Sequence, residues 1–231
     1  MIGVIQFPGS CDERDALEAV RRVGDGRLVW HEETDLSGLD AVVIPGGFSY
    51  GDYLRAGAIA RFSPAMGAVA RFAADGGPVL GICNGFQVLC EAGLLPGALL
   101  PNEGLRFICR QVALVTEDFG GPFGAGLGEG ERLSIPIKHM SGRYFAPEAE
   151  LDRLEAEGRV GFRYAPGENP NGSVRDVAGV LNEGGNVLGL MPHPEHAVDP
   201  LTGSDDGLAL FRALDPHITG RADARPRGSP A

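Results

Sequence analysis

The strictest constraint in this 231-residue chain is a junction. Residues 78–82 form an apolar run, residues 84–92 follow a helical pattern, and a single residue, Cys83, separates them. A strand that becomes a helix within one residue must turn sharply at the edge of a sheet. The flanking Gly81 and Gly85 remove the Cβ atoms that would clash in such a turn. A strand passing straight into a helix belongs in a sheet whose strands are joined by helical crossovers.

The rest of the chain repeats that alternation. Residues 2–7, 27–30 and 41–44 read as strands, and residues 12–23 place Leu17, Val20 and Val23 at helical spacing. Residues 56–74 are helix-like, with Pro64 breaking or restarting the helix. Beyond residue 100 the pattern is less regular. Residues 106–116 and 132–137 look like strands, residues 119–130 like a glycine-rich loop, and residues 177–182 and 187–191 like a hairpin turning at Glu183-Gly184-Gly185-Asn186. The expected fold is α/β: a single domain with a mostly parallel central sheet flanked by helices. Residues 1–220 are assigned to that domain, and residues 221–231 to a disordered tail.

Composition narrows the function classes. A net charge of −11 argues against a protein that grips nucleic acid through phosphates. No run approaches the roughly 18 apolar residues of a membrane span. The N-terminus, Met1-Ile2-Gly3-Val4-Ile5-Gln6, reads as a first strand rather than a signal peptide, so a cytoplasmic setting is expected. Cys11, Cys83, Cys90 and Cys109 form no C-x-x-C pair, and no metal is expected. There is also no G-x-x-x-x-G-K-[ST] phosphate loop.

Cys83 is the candidate nucleophile. A helix N-terminus favours its thiolate, and the N–H of Asn84 points where an oxyanion would form. Cys90 lies inside the same helix and is expected to be buried, while Cys11 and Cys109 are taken as structural. A thiol nucleophile needs a histidine base, and the base an orienting group. In Pro192-His193-Pro194-Glu195-His196 the two prolines are expected to fix an extended backbone, so that His193 and Glu195 project the same way. His139, just after a strand, is a second candidate; His31 and His217 have no distinctive neighbours. The turn at Gly46 and Gly47, closing the strand at residues 41–44, offers further backbone donors. Two other readings stay open at this point: another cysteine hydrolase with the same elbow, and a catalytically silent scaffold.

The glycine–glycine turn, the cysteine elbow and the late His-Pro-Glu resemble the class I (triad) glutamine amidotransferases, a flavodoxin-like architecture. The thirteen-residue run Pro45-Gly46-Gly47-Phe48-Ser49-Tyr50-Gly51-Asp52-Tyr53-Leu54-Arg55-Ala56-Gly57 is more specific. It is similar to a signature of the glutaminase subunits of phosphoribosylformylglycinamidine synthase. So are Gly81-Ile82-Cys83-Asn84-Gly85-Phe86-Gln87, Leu100-Pro101-Asn102 with Arg106-Phe107, Asn169-Pro170-Asn171-Gly172-Ser173, and the stretch from Gly189 to Glu195. The resemblance implies a Cys83-His193-Glu195 triad that hydrolyses glutamine, an oxyanion held near Gly46, Gly47 and Asn84, and Gln87 positioning the substrate. It also implies delivery of ammonia to a large synthetase subunit that carries ATP and Mg, with a small bridging subunit, and no cofactor on this chain. Two positions depart from the family pattern: His196, where arginine is common, and Met140-Ser141, where Gly-Glu is usual.

Overall fold

A computed structural model describes residues 1–124 and 126–215; the expected tail and His217 lie outside them. The strands are β1 (Ile2–Gln6), β2 (Gly26–Trp30), β3 (Ala41–Ile44), β4 (Val79–Ile82), β5 (Ala98–Leu100), β6 (Ile108–Thr116), β7 (Arg132–His139), β8 (Arg143–Phe145), β9 (Val160–Tyr164), β10 (Val177–Leu181) and β11 (Val187–Leu190). The helices are α1 (Glu13–Arg21), α2 (Pro64–Ala74), α3 (Asn84–Glu91), α4 (Glu148–Ala156) and α5 (Leu208–Arg212). One sheet takes nine strands in the order β2-β1-β3-β4-β11-β10-β9-β6-β7, and β5 and β8 form a separate pair.

The sheet has two halves. From β2 to β11 every neighbouring pair is parallel. The central strands β3, β4 and β11 are continuous apolar runs, as burial on both faces requires, and all their residues are buried. From β11 to β7 every pair is antiparallel. Followed along the sheet, only β6 and β10 run against the rest, so seven of the nine strands point one way. Helix α1 buries Ala16, Leu17, Ala19 and Val20 beside β1 and β2, and α3 packs on β3, β4 and β11. Pro64 does restart a helix: it occupies the first turn of α2, where its missing N–H has no partner to lose.

One late connection positions the site. The chain's last sheet strand, β11, enters the middle of the sheet beside β4, with Leu190 opposite Ile82. Residues that follow β3, β4 and β11 therefore gather at one carboxyl edge, the usual ligand edge of an open α/β sheet. Two elements not expected from the sequence are α4, which buries only Leu151 and Leu154, and β9, a five-residue strand whose alternating Val160, Phe162 and Tyr164 lie between glycine-containing turns. β7 also runs two residues past its expected end at Ile137, to His139.

Candidate active site

Cys83 leaves β4 with φ 49° and ψ −102°, a conformation that costs a non-glycine residue on the order of 1–3 kcal/mol. Close packing on both sides holds it there. A Cβ on Gly85 would overlap the Ile44 carbonyl, and one on Gly81 would come within 2.9 Å of the Gly85 backbone. The Cys83 N–H donates to the Leu190 carbonyl at 2.8 Å, which ties the elbow to β11. Among the described residues the Asn84 N–H has no acceptor, as expected of the first residue of a helix.

His193 and Glu195 do come together, though not by the expected route. Residues Pro194–His196 form a 3-10 turn rather than an extended segment, because the His196 N–H closes onto the His193 carbonyl at 3.2 Å. The turn places His193 Nδ1 2.6 Å from Glu195 Oε1, with both residues buried. His193 Nε2 is buried, with Nδ1 taken by Glu195 and the Cys83 thiol as its neighbour. It is the ring nitrogen left for a thiol proton. Burial alone would lower the His193 pKa, but the charge of Glu195, the neighbouring Cys83 and their hydrogen bonds outweigh it and raise it to about 10. A cationic imidazole held beside the cysteine sulfur is placed to hand a proton to a leaving group.

Three residues that sequence reasoning left out of the site brace this triad. Asp12 is buried, with Oδ2 3.7 Å from His193 Nδ1 and Oδ1 2.5 Å from Lys138 Nζ. His196 Nε2 lies 3.6 Å from both Asp12 Oδ1 and Glu195 Oε1. Burial opposes ionisation of Asp12, yet the nearby His196 ring, the bond from Lys138 and the charge of His193 hold its carboxyl far below the usual range. Asp12, His193, Glu195 and His196 offer ligand atoms within 4.8 Å of one another. The Lys138 ammonium already occupies the place a cation would take on Asp12. Lys138 is the chain's single lysine, and that rarity was its one signal in the sequence.

A cavity of about 100 Å³ opens over Cys83 and His193, lined also by Cys11, Asp12, Gly47, Phe48, Asp52, Gln87, Phe107 and residues 138–141. Gly47 lies at φ +137°, where a side chain would strike the Cys11 backbone, and its N–H has no acceptor among the described residues. Gly46 sits behind the wall: a Cβ there would overlap the Asp12 carboxylate and come within 2.8 Å of His193 Cε1. Gln87 lines the cavity, accepting from Asn84 Nδ2 at 2.8 Å and donating to the Ser141 carbonyl at 2.5 Å.

The other candidates sort as follows. His139 is buried, with Nδ1 3.0 Å from Asn102 Oδ1, and burial and the His193 charge lower its pKa to about 4. It braces the Met140-Ser141 wall as a neutral ring. His31 binds the Tyr50 hydroxyl at 2.8 Å, away from the cavity. Cys90, expected to be buried, is half-buried where α3 ends; desolvation of its sulfur pushes the thiol pKa up, in keeping with a packing role. Cys11 and Cys109, read as structural from the sequence, are instead exposed, and Cys11 reaches the cavity rim. The residues around them are loop and sheet-edge positions, which hydropathy alone does not separate from core.

Comparison with known proteins agrees with this geometry. The family model for the CobB/CobQ-like glutamine amidotransferase domain matches residues 1–206. The chain is 59% identical to phosphoribosylformylglycinamidine synthase subunit PurQ of Rubrobacter xylanophilus, over 92% of this chain and 96% of that one. It is also 59% identical to the same subunit of Mycobacterium tuberculosis, over 95% and 98%. Among solved structures it superimposes on a chain of PurLQS from Thermotoga maritima with a TM-score of 0.85 and 42% identity, covering 92% of this chain and 96% of that one. The chain belongs to the glutamine amidotransferases and, within them, to the PurQ subunits of phosphoribosylformylglycinamidine synthase.

Proposed function

We propose that Cys83, His193 and Glu195 hydrolyse glutamine to glutamate and ammonia for phosphoribosylformylglycinamidine synthase. The observation that carries this assignment is the buried His193–Glu195 pair, closed at 2.6 Å, beside a cysteine on a strained elbow at the same sheet edge. The Cys83 sulfur attacks the side-chain amide carbon, and the N–H groups of Gly47 and Asn84 receive the oxyanion. His193 gives its proton to the departing nitrogen, so that ammonia leaves and a glutamyl thioester remains. His193, neutral at that stage, then takes a proton from water, which attacks the thioester and frees glutamate. Glu195 keeps the imidazole oriented and balances its charge throughout. Gly46 supports Gly47 and leaves room for His193, and Gln87 positions the substrate.

Thioester formation and hydrolysis need neither electrons nor a phosphoryl donor, so this chain works without a cofactor. ATP and Mg belong to the synthetase partner, which makes phosphoribosylformylglycinamidine from phosphoribosylformylglycinamide in purine synthesis. The Thermotoga maritima relative comes from PurLQS; by analogy the partners here are a large synthetase subunit and a small bridging subunit, in the cytoplasm. No helix among the described residues is long and apolar enough to cross a membrane. We assign residues 1–220 to the amidotransferase domain, and glutamine, not nucleic acid, as its ligand.

The decisive measurement is glutamate release by the chain with and without its synthetase partner. Cys83→Ala should lower glutamine-dependent turnover about 10⁴-fold or more, while synthesis driven by added ammonia persists. Loss of both activities would contradict the division of labour.

A further inference from the structure

The segment between the glycine turn and α2 holds one acidic side chain that the triad chemistry does not use. Tyr50, Asp52 and Leu54 all have positive φ (53°, 52° and 70°), so three non-glycine residues within five take the left-handed conformation. Such a run persists only where its surroundings over-determine it. Here the Tyr50 N–H donates to the Pro8 carbonyl at 2.6 Å, its hydroxyl meets His31 Nδ1, and the Gly51 N–H closes onto the Phe48 carbonyl at 2.7 Å. Asn84 Oδ1 accepts from the Ser49 N–H at 3.0 Å. Arg55 clamps the far end to Glu91 through two bonds, 2.5 and 2.7 Å.

The segment's turn brings the Asp52 carboxylate into the wall of the cavity that contains Cys83 and Gln87. Two carboxylates line that cavity. Asp12 has Lys138 on it at 2.5 Å and two histidines nearby. Asp52 makes one hydrogen bond, from Asn84 Nδ2 at 3.2 Å, and has no ion pair among the described residues. Burial raises its pKa, partly offset by that bond. A half-buried carboxylate without a counter-charge is held at the wall of a pocket whose substrate is an amino acid.

We propose that Asp52 receives the α-ammonium of glutamine and thereby selects an α-amino acid over other primary amides. The proposal rests on the glutaminase reading above. Asn84 then links two parts of recognition: its backbone N–H faces the reacting carbonyl, and its side-chain amide aligns Asp52 and Gln87 together. A substrate that satisfies Asp52 places its side-chain amide against Cys83 by the length of its own methylene chain.

The test uses the complex of this chain with its synthetase partner and two substrates: glutamine, and glutaric acid monoamide, which lacks only the α-amino group. The wild type should prefer glutamine strongly. Asp52→Asn should cut kcat/KM for glutamine about 30-fold or more, chiefly through KM, and shrink the preference by the same factor. Asp52→Glu should recover part of it. Alkylation of Cys83 by iodoacetamide at the wild-type rate shows that the elbow is intact in each variant. An equal loss on both substrates, or a loss in kcat alone, would mean that Asp52 merely braces Asn84 and would overturn the assignment. So would an unchanged preference. Wild-type hydrolysis that depends on Cys83 keeps the glutaminase reading standing in either case, whereas a wild-type complex inert toward glutamine would remove both.

Discussion

In the parallel half of the sheet the active residues are held by backbone. Cys83, Gly47 and His193 follow β4, β3 and β11, and each is fixed by a carbonyl, an amide or a missing Cβ. In the antiparallel half the pocket wall is held by side chains. Asn102 donates to the carbonyls of Arg106 and His139, both at 2.9 Å, and accepts from the Gly142 N–H at 3.1 Å. Asn171 donates to the Gly142 carbonyl at 2.9 Å and to the Tyr164 hydroxyl at 3.2 Å. Nucleophilic chemistry tolerates little displacement, and backbone packing has little slack. A wall that must fit a flexible substrate is built instead from polar groups whose bonds are directional but replaceable.

The backbone half should break abruptly. Gly85→Ala puts a methyl group into the Ile44 carbonyl, on a central strand with no room to shift. We expect loss of more than about 3 kcal/mol of stability, or no folded protein, read by thermal melting. A variant that melts within about 0.5 kcal/mol of the wild type would show that the elbow has slack, and the contrast would fail.

Glu195→Gln tests the same half at the level of chemistry alone. The substitution preserves shape but removes the charge that helps hold His193 cationic. Glutamine turnover should fall on the order of 10²–10⁴-fold while the fold is retained, with the melting temperature lowered only by the lost support of the His193 charge. Unchanged kinetics would take Glu195 out of the triad and pass its role to Asp12, 3.7 Å from the same nitrogen.

That Asp12 stands so close was not legible in the sequence. It lies 181 positions before His193, and nothing in FPGSCDERD marks its carboxylate as buried. The legible parts were local. A strand, a glycine pair and a helix start within nine residues announced Cys83, and a single residue, Pro194, separates His193 from Glu195. Long apolar runs likewise marked β1, β3, β4 and β11, because parallel strands buried on both faces have no polar positions to blur them. The antiparallel half was harder. β6 begins with exposed positions at Cys109, Arg110 and Gln111, and β7 closes its alternation on a buried polar residue, His139, so the apolar signal starts late in one strand and stops early in the other. Its supports, Asn102 and Asn171, are polar residues in loops, where sequence alone cannot distinguish a buried network from a wet turn.

The side-chain half should yield gradually. Asn102→Ala leaves the His139 carbonyl, the Gly142 N–H and His139 Nδ1 short of partners. A cost of about 1–3 kcal/mol is expected, with KM for glutamine rising as the Ser141 carbonyl that holds Gln87 shifts. Because Cys83 is held by β4 and β11, and His193 among the described residues bonds to this half only through the Pro136 carbonyl, kcat should change less than KM. A fall confined to kcat would mean that the wall and the triad are mechanically one unit.

The smallest effects should appear as opposite pH limits of the two halves. His139 is neutral in the fold, with a pKa lowered to about 4 by burial and by the His193 charge. Between its ordinary 6.5 and about 4 the unfolded chain binds a proton that the folded chain refuses, so stability should fall as pH drops through that window. Asp12 does not confound this, since its carboxyl is held below an ordinary value of 3.8 and acts only at lower pH. His193 behaves conversely. Its pKa is raised, so its contribution is complete below about 6.5 and is lost as pH rises toward about 10. Melting temperatures across both windows, shifting by several degrees, should separate the halves. His139→Gln should flatten the acid limb alone. Cys83→Ala, which removes one of the groups that raise His193, should flatten the alkaline limb alone, and a variant that flattened both would show that the two imidazoles titrate as a coupled pair across the sheet.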